Sequence, residues 1–357
     1  MIPRLLVPLL FLLAPLQACA DDFPGLSGFI DEMVQKHGFE RAELERTFQQ
    51  VEHQDAVIEA ISRPVVAPKP WAEYRGSFMT QKQINNGLAF WKTWPASLQR
   101  AEQKYGVPQE IIVALIGVET RYGANTGKHN TLSALTTLAF DYPRRADFFR
   151  SELEQYLLLA RERGMDMAET RGSYAGALGI PQFMPSSYRK YAVDWDGDDR
   201  ADLLNNPIDA IGSVANYLQQ HGWRAGQPVA LQVTNAADLD PSMRSLSAWE
   251  EAGVILPAKP MLAPSQTVTG TDGRAYSKFS GFSGEDVSGG ALWWWYGNYG
   301  TVMARLLNFT MLDGRKEYWL VFDNFDVIMK YNNSHYYAMT VFQLAQALKR
   351  ARASSVP

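Results

Sequence analysis

The stretch IIVALIGVETRYG, residues 111–123, decides the reading of this chain. Ile111, Ile112, Val113, Leu115, Ile116 and Val118 cover nearly every side of a helix. A helix that is apolar all round is a buried one. Glu119 is its lone carboxylate and lies near its end. Removal from water disfavours the charged form, so its pKa is expected to rise, as a general acid near neutral pH requires. Gly123 is the expected stop, which opens Glu119 to a cleft. Spacing alone leaves a second reading open, in which Glu119 pairs with Arg121 or Arg144 and does no chemistry.

Working outward, helical periodicity dominates. Ser27 is positioned to cap GFIDEMVQKHG, with Gly38 as its stop, and FERAELERTFQQV and AVIEAIS follow at three- and four-residue apolar spacing. SRPVVAPKPW (residues 62–71) reads as an extended connection. Helical patterns resume in LAFWKTWPASLQRAEQKYG, in VPQEIIVALIGVETRYG with Pro108 at its start, and in RADFFRSELEQYLLLARERG. Beyond Trp223 the texture changes. PVALQVT, QTVTGTDGRAYSKF and EYWLVFDNFDVIMKY are rich in β-branched and aromatic residues, with Asp272-Gly273 and Asp313-Gly314 as turns. A last helix, SHYYAMTVFQLAQALKR, closes the chain. The fold class expected is α+β, mainly helical, with a small antiparallel β region placed late.

The 357 residues suggest about two or three folding units. With 46% hydrophobic and 20% charged residues the chain can bury a sizeable core. A net charge of −4 argues against holding nucleic acid by bulk charge. Cys19 is the single cysteine, which excludes an intrachain disulfide and a cysteine zinc site.

The N-terminus reads as an address. Arg4 precedes an apolar run, LLVPLLFLLAPL (residues 5–16), that spans about 18 Å as a helix, short of a bilayer core of about 30 Å. It resembles a secretory signal, and no later segment is long and apolar enough for a transmembrane span. Two cleavages compete. Ala18-Cys19-Ala20 fits a cut before Asp21 and a soluble product, the favoured reading; Leu16-Gln17-Ala18-Cys19 resembles a lipobox, which makes Cys19 a lipid anchor at the outer membrane. Both place the protein outside the cytoplasm.

Three further constellations carry chemistry. The glycine-rich loop GSYAGALGIPQFMPSSY (residues 172–188) offers Ser173 and Gln182 as neutral hydrogen-bonding groups of the kind sugars use, or else a tight turn that packs Phe183 and Met184, with Ser186 as a cap for the next helix. In DWDGDDRADLLNNPID (residues 194–209), Asp194, Asp196 and Asp198 take positions 1, 3 and 5 of an EF-hand-like loop. Asp199 replaces the usual glycine at position 6, Asn205 replaces the bidentate Glu, and Asp209 is the candidate replacement. The reading is calcium or an exposed acidic turn. The cluster YNNSHYY (residues 331–337) is a polar cleft candidate; Trp293–Trp295 read as stacking surface or core. Ser187-Tyr188-Arg189-Lys190 lacks the partner motifs of an acylating enzyme, and the scattered histidines make no zinc motif.

Taken together, GVETRYG, AGALGIPQFMPSSYRKYAVDWDGD, PIDAIGSVANYLQQHGW and KYNNSHYYAMTVFQLAQAL resemble the lytic transglycosylase B family of peptidoglycan enzymes. The resemblance implies a lysozyme-like core flanked by an α domain and a small β domain, with boundaries at 1–20 (signal), 21–100 (helical), 101–225 completed by 326–350 (core) and 226–325 (β-rich). It implies non-hydrolytic cleavage of the bond between N-acetylmuramic acid and N-acetylglucosamine, giving 1,6-anhydromuramoyl ends, with Glu119 as acid and then base. The glycan-contacting positions it implies are Ser173, Gln182, Phe183, Met184, Tyr217, Tyr331, Asn332 and Tyr337, with Arg144 and Arg145 on anionic groups of the substrate. It implies no cofactor for the chemistry, and a structural Ca2+ on Asp194, Asp196, Asp198, the Arg200 carbonyl and Asp209. The partners implied are peptidoglycan glycan strands and cell-wall synthesis or remodelling proteins. A hydrolytic muramidase and a non-catalytic murein-binding scaffold are the alternatives.

Overall fold

A computed structural model describes residues 23–63, 69–256, 266–269, 275–278 and 299–354. The signal segment with Cys19, the Asp272-Gly273 turn and Trp293–Trp295 lie outside the described residues. In chain order the helices are α1 (Leu26–His37), α2 (Arg41–Phe48), α3 (Asp55–Ser62), α4 (Trp71–Gly76), α5 (Gln81–Thr93), α6 (Pro95–Tyr105) and α7 (Gln109–Thr120). They continue as α8 (Thr131–Asp141), α9 (Ala146–Arg163), α10 (Pro185–Tyr191), α11 (Pro207–Gln220), α12 (Leu246–Glu251), α13 (Asp323–Tyr331) and α14 (His335–Ala353). The strands are β1 (His129–Asn130), β2 (Arg171–Gly172), β3 (Ala230–Val233), β4 (Arg244–Ser245), β5 (Gln266–Thr269), β6 (Ala275–Lys278), β7 (Met303–Thr310) and β8 (Lys316–Val321). The chain is thus mainly helical with small antiparallel sheets, as expected.

Two compact units are distinguished. The first draws on Met1–Arg63, Gly127–Ala177 and Met184–Ser186. In it α8 packs on α3 and α9. Phe29 meets Phe48 and Phe140 at ring separations of 6.3 and 6.0 Å. Buried hydroxyls of α8 serve the chain that leads into α3: Ser133 accepts from the Glu52 N–H (3.3 Å) and Thr137 from the Gln54 N–H (3.1 Å). Without those acceptors two N–H groups ahead of a short helix would lose their partners.

The second unit draws on Pro64–Thr126, Leu178–Phe183 and Ser187–Pro357. Its centre is α7, against which α5, α6, α11 and α14 all pack. That surround explains the sequence: from Ile111 to Thr120 every residue is buried except Glu119. Each large aliphatic side chain removed from water there contributes about 1.5–3 kcal/mol. The sheet of this unit has the order β3-β8-β7-β4, antiparallel throughout, with Leu320 opposite both Leu231 and Leu306. Trp249 of α12 plugs its core among Val233, Ala304 and Leu320, and its indole N–H donates to the Ala304 carbonyl at 2.9 Å.

Several local expectations need correction. Helix α1 starts one residue before Ser27, capped by Gly25 at φ 94°, a conformation serine avoids. LAFWKTWPASLQRAEQKYG is two helices, broken at Trp94 because Pro95 cannot continue α5. EYWLVFDNFDVIMKY is strand only to Val321; α13 follows, because Phe325, Val327 and Ile328 face the core while Asp323, Asp326 and Lys330 do not. Strand β7, rich in Leu, Met and Ala, escaped the β-propensity reading. Ser186 lies inside α10, not before it. Its N–H and hydroxyl donate to the buried Glu152 carboxylate at 3.0 and 2.6 Å, so a distant acid serves that helix end.

Candidate active site

Glu119 is the penultimate residue of α7, half-buried where the rest of the helix end is buried. The helix stops earlier than Gly123, since Arg121 and Tyr122 already take φ 52° and 64°. Thr120 ties the stop down: its hydroxyl donates to the Ile180 carbonyl (2.7 Å) and accepts from the Gly123 N–H (2.9 Å). The Tyr337 hydroxyl donates to Glu119 Oε1 at 2.5 Å. Tyr337 stands in the first turn of α14, whose start is fixed by Ser334, the acceptor of the Tyr337 N–H. Among the described residues Glu119 makes no ion pair, which removes the pairing with Arg121.

Burial pushes the Glu119 carboxyl up to about 7, against a smaller downward pull from the Tyr337 hydrogen bond. It therefore carries its proton in a large fraction of molecules at neutral pH. Burial and then the Glu119 charge raise Tyr331 and Tyr337 well above ordinary phenols, so both hydroxyls remain donors. Tyr74, which no sequence motif singled out, is raised by the same two causes. It comes from the six-residue α4 and its ring packs against Tyr336 (5.7 Å).

The loop after Ala177 folds back on itself. Leu178 and Phe183 exchange backbone hydrogen bonds (2.8 and 3.1 Å), and Gly179 turns at φ 67° where a Cβ would sit 2.1 Å from the Leu203 carbonyl oxygen. Gln182 takes φ 52°, and its amide NH2 is spent on the Thr126 and Gly179 carbonyls (3.0 and 2.9 Å). Its Oε1 is left as the acceptor for a ligand. Phe183 is only 2% exposed, its ring against Tyr217 (5.4 Å) and Tyr331 (5.8 Å). Tyr217 donates to the Lys330 carbonyl (2.8 Å) and Tyr331 to the Pro181 carbonyl (2.5 Å). Asn332, directly after α13, is exposed.

The second unit therefore brings together Glu119, Gln182, Phe183, Tyr217, Tyr331 and Tyr337 around one loop and the ends of four helices. The first unit holds the other expected positions. There the Ser173 hydroxyl accepts the Ala175 and Ala177 N–H groups (3.2 and 3.0 Å), which leaves its own proton to donate. Arg144 and Arg145 are exposed on the turn Pro143–Arg145, with the Arg145 guanidinium 4.2 Å above the Phe148 ring. Met184 is half-buried.

The acidic loop is built differently. Carboxylate oxygens of Asp194, Asp196 and Asp209 lie within 4.8 Å of one another. Asp209, in the first turn of α11, is fully buried and accepts from the Trp195 and Asp202 N–H groups (2.7 and 2.8 Å). Burial raises its pKa, the two N–H bonds oppose that, and the Asp196 and Asp194 charges add to it. Asp199 adopts the φ of 68° that a glycine would supply, which aspartate tolerates better than most side chains. Three converging carboxylates, one of them buried, suit a hard divalent cation with oxygen ligands. Asp198 is outside that convergence; its Oδ1 accepts the Arg200 N–H at 2.9 Å.

Among the described residues no helix is long and apolar enough to cross a membrane. The model of the transglycosylase SLT domain family matches residues 23–286 and 295–346. The membrane-bound lytic murein transglycosylase B of Escherichia coli K12 is 40% identical over 342 residues, 92% of this chain and 84% of that protein. The E. coli lytic transglycosylase SLT35, solved with bulgecin A, superposes with a TM-score of 0.76 at 39% identity over 94% of this chain and 95% of its own. The same enzyme has been solved with calcium, with a TM-score of 0.75. SltB3 of Pseudomonas aeruginosa, solved with NAG-anhNAM-pentapeptide, matches with a TM-score of 0.71 at 28% identity over 91% of this chain and 78% of its own. With its lysozyme-like helical architecture and a family match that runs through nearly all of it, the chain belongs to the lytic murein transglycosylases of the SLT domain family.

Proposed function

We propose that this chain cleaves the β-1,4 bond between N-acetylmuramic acid and N-acetylglucosamine in peptidoglycan strands without water, with Glu119 as the one catalytic carboxyl. In its protonated form Glu119 gives its proton to the leaving glycosidic oxygen as the bond to the muramoyl C1 breaks. As carboxylate it then takes the proton of the muramoyl C6 hydroxyl, whose oxygen bonds to C1 and closes the 1,6-anhydro ring. One proton leaves the carboxyl and one returns, so the enzyme is regenerated. The substrate's N-acetyl carbonyl stabilises the positive centre between the two steps.

The observation that carries this reading is the state of Glu119. It is raised to about 7 by burial, and among the described residues no second carboxylate contributes to that shift. The Tyr337 hydroxyl steadies the carboxylate formed in the first step, through the bond it already donates. In the second unit Gln182, Phe183, Tyr217, Tyr331, Asn332 and Tyr337 form or underlie glycan contacts; in the first, Ser173 and Met184 offer glycan contacts and Arg144 and Arg145 hold stem-peptide carboxylates. The ligand in SltB3 supports a substrate of this class.

Asp194, Asp196 and Asp209 hold a structural Ca2+ that neutralises the clustered charge, with Asp198 and Arg200 alongside them in the loop; the calcium complex of SLT35 supports it. The protein acts in the periplasm, either free after cleavage before Asp21 or anchored through Cys19, alongside cell-wall synthesis or remodelling proteins. The test is mass analysis of purified sacculi digested by the protein. Ends lighter by one water than reducing ends are expected; reducing ends alone mean hydrolysis and overturn the reading.

A further inference from the structure

Glycine is the residue for a left-handed turn, yet the two residues after α7 are Arg121 and Tyr122, at φ 52° and 64°. A bulky side chain in that region is an outlier that the surroundings must impose, and such outliers gather at functional sites. The surroundings here are a fitted slot. A Cβ on Gly117 of α7 would stand 2.6 Å from Cζ and Oη of Tyr122, and one on Gly87 of α5 would stand 2.5 Å from its Oη. Only glycines leave room for the ring on both walls.

The slot is also polar at its end. The Tyr122 hydroxyl donates to the Gln83 carbonyl at 3.1 Å, and burial keeps that hydroxyl protonated. The buried Gln83 side chain returns the link, its NH2 donating to the Gly117 carbonyl at 2.6 Å. That carbonyl also accepts the Arg121 N–H at 3.0 Å, while the Tyr122 N–H reaches back to Ile116 at 3.4 Å. Gly117 and Glu119 are two positions apart, about 200° around a helix of 3.6 residues per turn, so the slot lies on the flank away from the carboxyl.

We infer that Tyr122 is a positioning residue: its ring, wedged between Gly87 and Gly117, sets where α7 stops and how its last turn is rotated, and so where Glu119 meets Tyr337. The inference rests on Glu119 being the catalytic carboxyl. It assigns Tyr122 no contact with substrate, so its loss acts on turnover and not on binding.

The test compares kcat and KM on soluble uncross-linked glycan strands for folded Tyr122→Ala, Tyr122→Phe, Gly117→Ala and the double variant Gly117→Ala/Tyr122→Ala. Tyr122→Ala is expected to lower kcat about 100-fold with KM held within about two-fold, the scale of a misplacement near 1 Å. Tyr122→Phe, which keeps the ring, returns most of that rate. Gly117→Ala expels the ring and matches Tyr122→Ala, while the double variant is no worse than either, because the added methyl enters vacated space. Should Tyr122→Ala not fold, Tyr122→Leu carries the same comparison. A folded Ala or Leu variant with wild-type kcat, or a loss in KM alone, overturns the inference. Glu119→Gln is run beside them: its inactivity with normal Tyr122 variants overturns only the positioning role, whereas its full activity overturns the catalytic reading beneath it.

Discussion

Glu119 at the end of α7 and Asp194 in the acidic loop are both carboxyl groups, and their surroundings push them in opposite directions. Glu119 loses water and gains one hydroxyl donor, so burial wins and its proton is held up to about 7. At Asp194 a slight burial pushes upward, but the backbone N–H groups of Gly197, Asp199 and Asp198 outweigh it and hold the carboxyl below its usual range. One environment keeps a proton to give away. The other keeps a negative charge of the kind a divalent cation would answer. The difference lies in what the backbone offers: α7 delivers Glu119 at its C-terminal end, where few N–H groups face it, whereas a turn rich in αL residues aims several at Asp194.

The comparison can be broken first at Asp209. Asp209→Ala strips the acceptor from the Trp195 and Asp202 N–H groups and should cost about 4 kcal/mol in urea unfolding. A cost below about 1 kcal/mol would mean the carboxylate does not organise the loop. Next comes linkage at Glu119. Its folded pKa of about 7 exceeds the unfolded 4.5, so the folded state keeps a proton that the unfolded state releases between those values. Stability therefore falls as pH climbs through that window and stays lower above it. Glu119→Gln escapes the penalty and should gain up to about 3 kcal/mol over wild type at pH 8, with no gain at pH 4. An equal difference at both pH values would deny the raised pKa.

Calcium sharpens the other side. At a hundred-fold excess over Kd it should stabilise the wild type by about 2.7 kcal/mol, seen as a higher Tm that a chelator reverses and Asp209→Asn abolishes. Unchanged melting in calcium would leave the acidic turn without its cation. The smallest effect is at Tyr337. Its bond lowers the Glu119 pKa, so Tyr337→Phe should move the alkaline limb of the activity profile to higher pH. A limb that moves toward acid would reverse the role given to that hydroxyl.

Much of the catalytic end was legible because its signal is crude: apolar residues on all faces of residues 111–118 mean burial, and one acid in such a run has to be explained. Gly38 was legible as a helix end for an equally local reason. What escaped depended on distant partners. Tyr74 feels the Glu119 charge only because α4 packs against α14, which no local pattern announces. Ser186 looked like a cap, but Glu152, 34 residues away in sequence, does that work. Residues 323–331 kept strand-forming side chains in a helix because burial on one face outweighed intrinsic preference. Asp199 seemed a defect in the loop by its type, yet the backbone took the glycine conformation regardless.

The central claim is that one buried carboxyl performs both proton transfers. Its most direct test is the release of soluble muropeptides from purified sacculi by wild type and Glu119→Gln in parallel, with end groups weighed by mass spectrometry. The account predicts 1,6-anhydro ends from wild type and a rate at least about a hundred-fold lower from the variant. Anhydro products released by Glu119→Gln at the wild-type rate would contradict it.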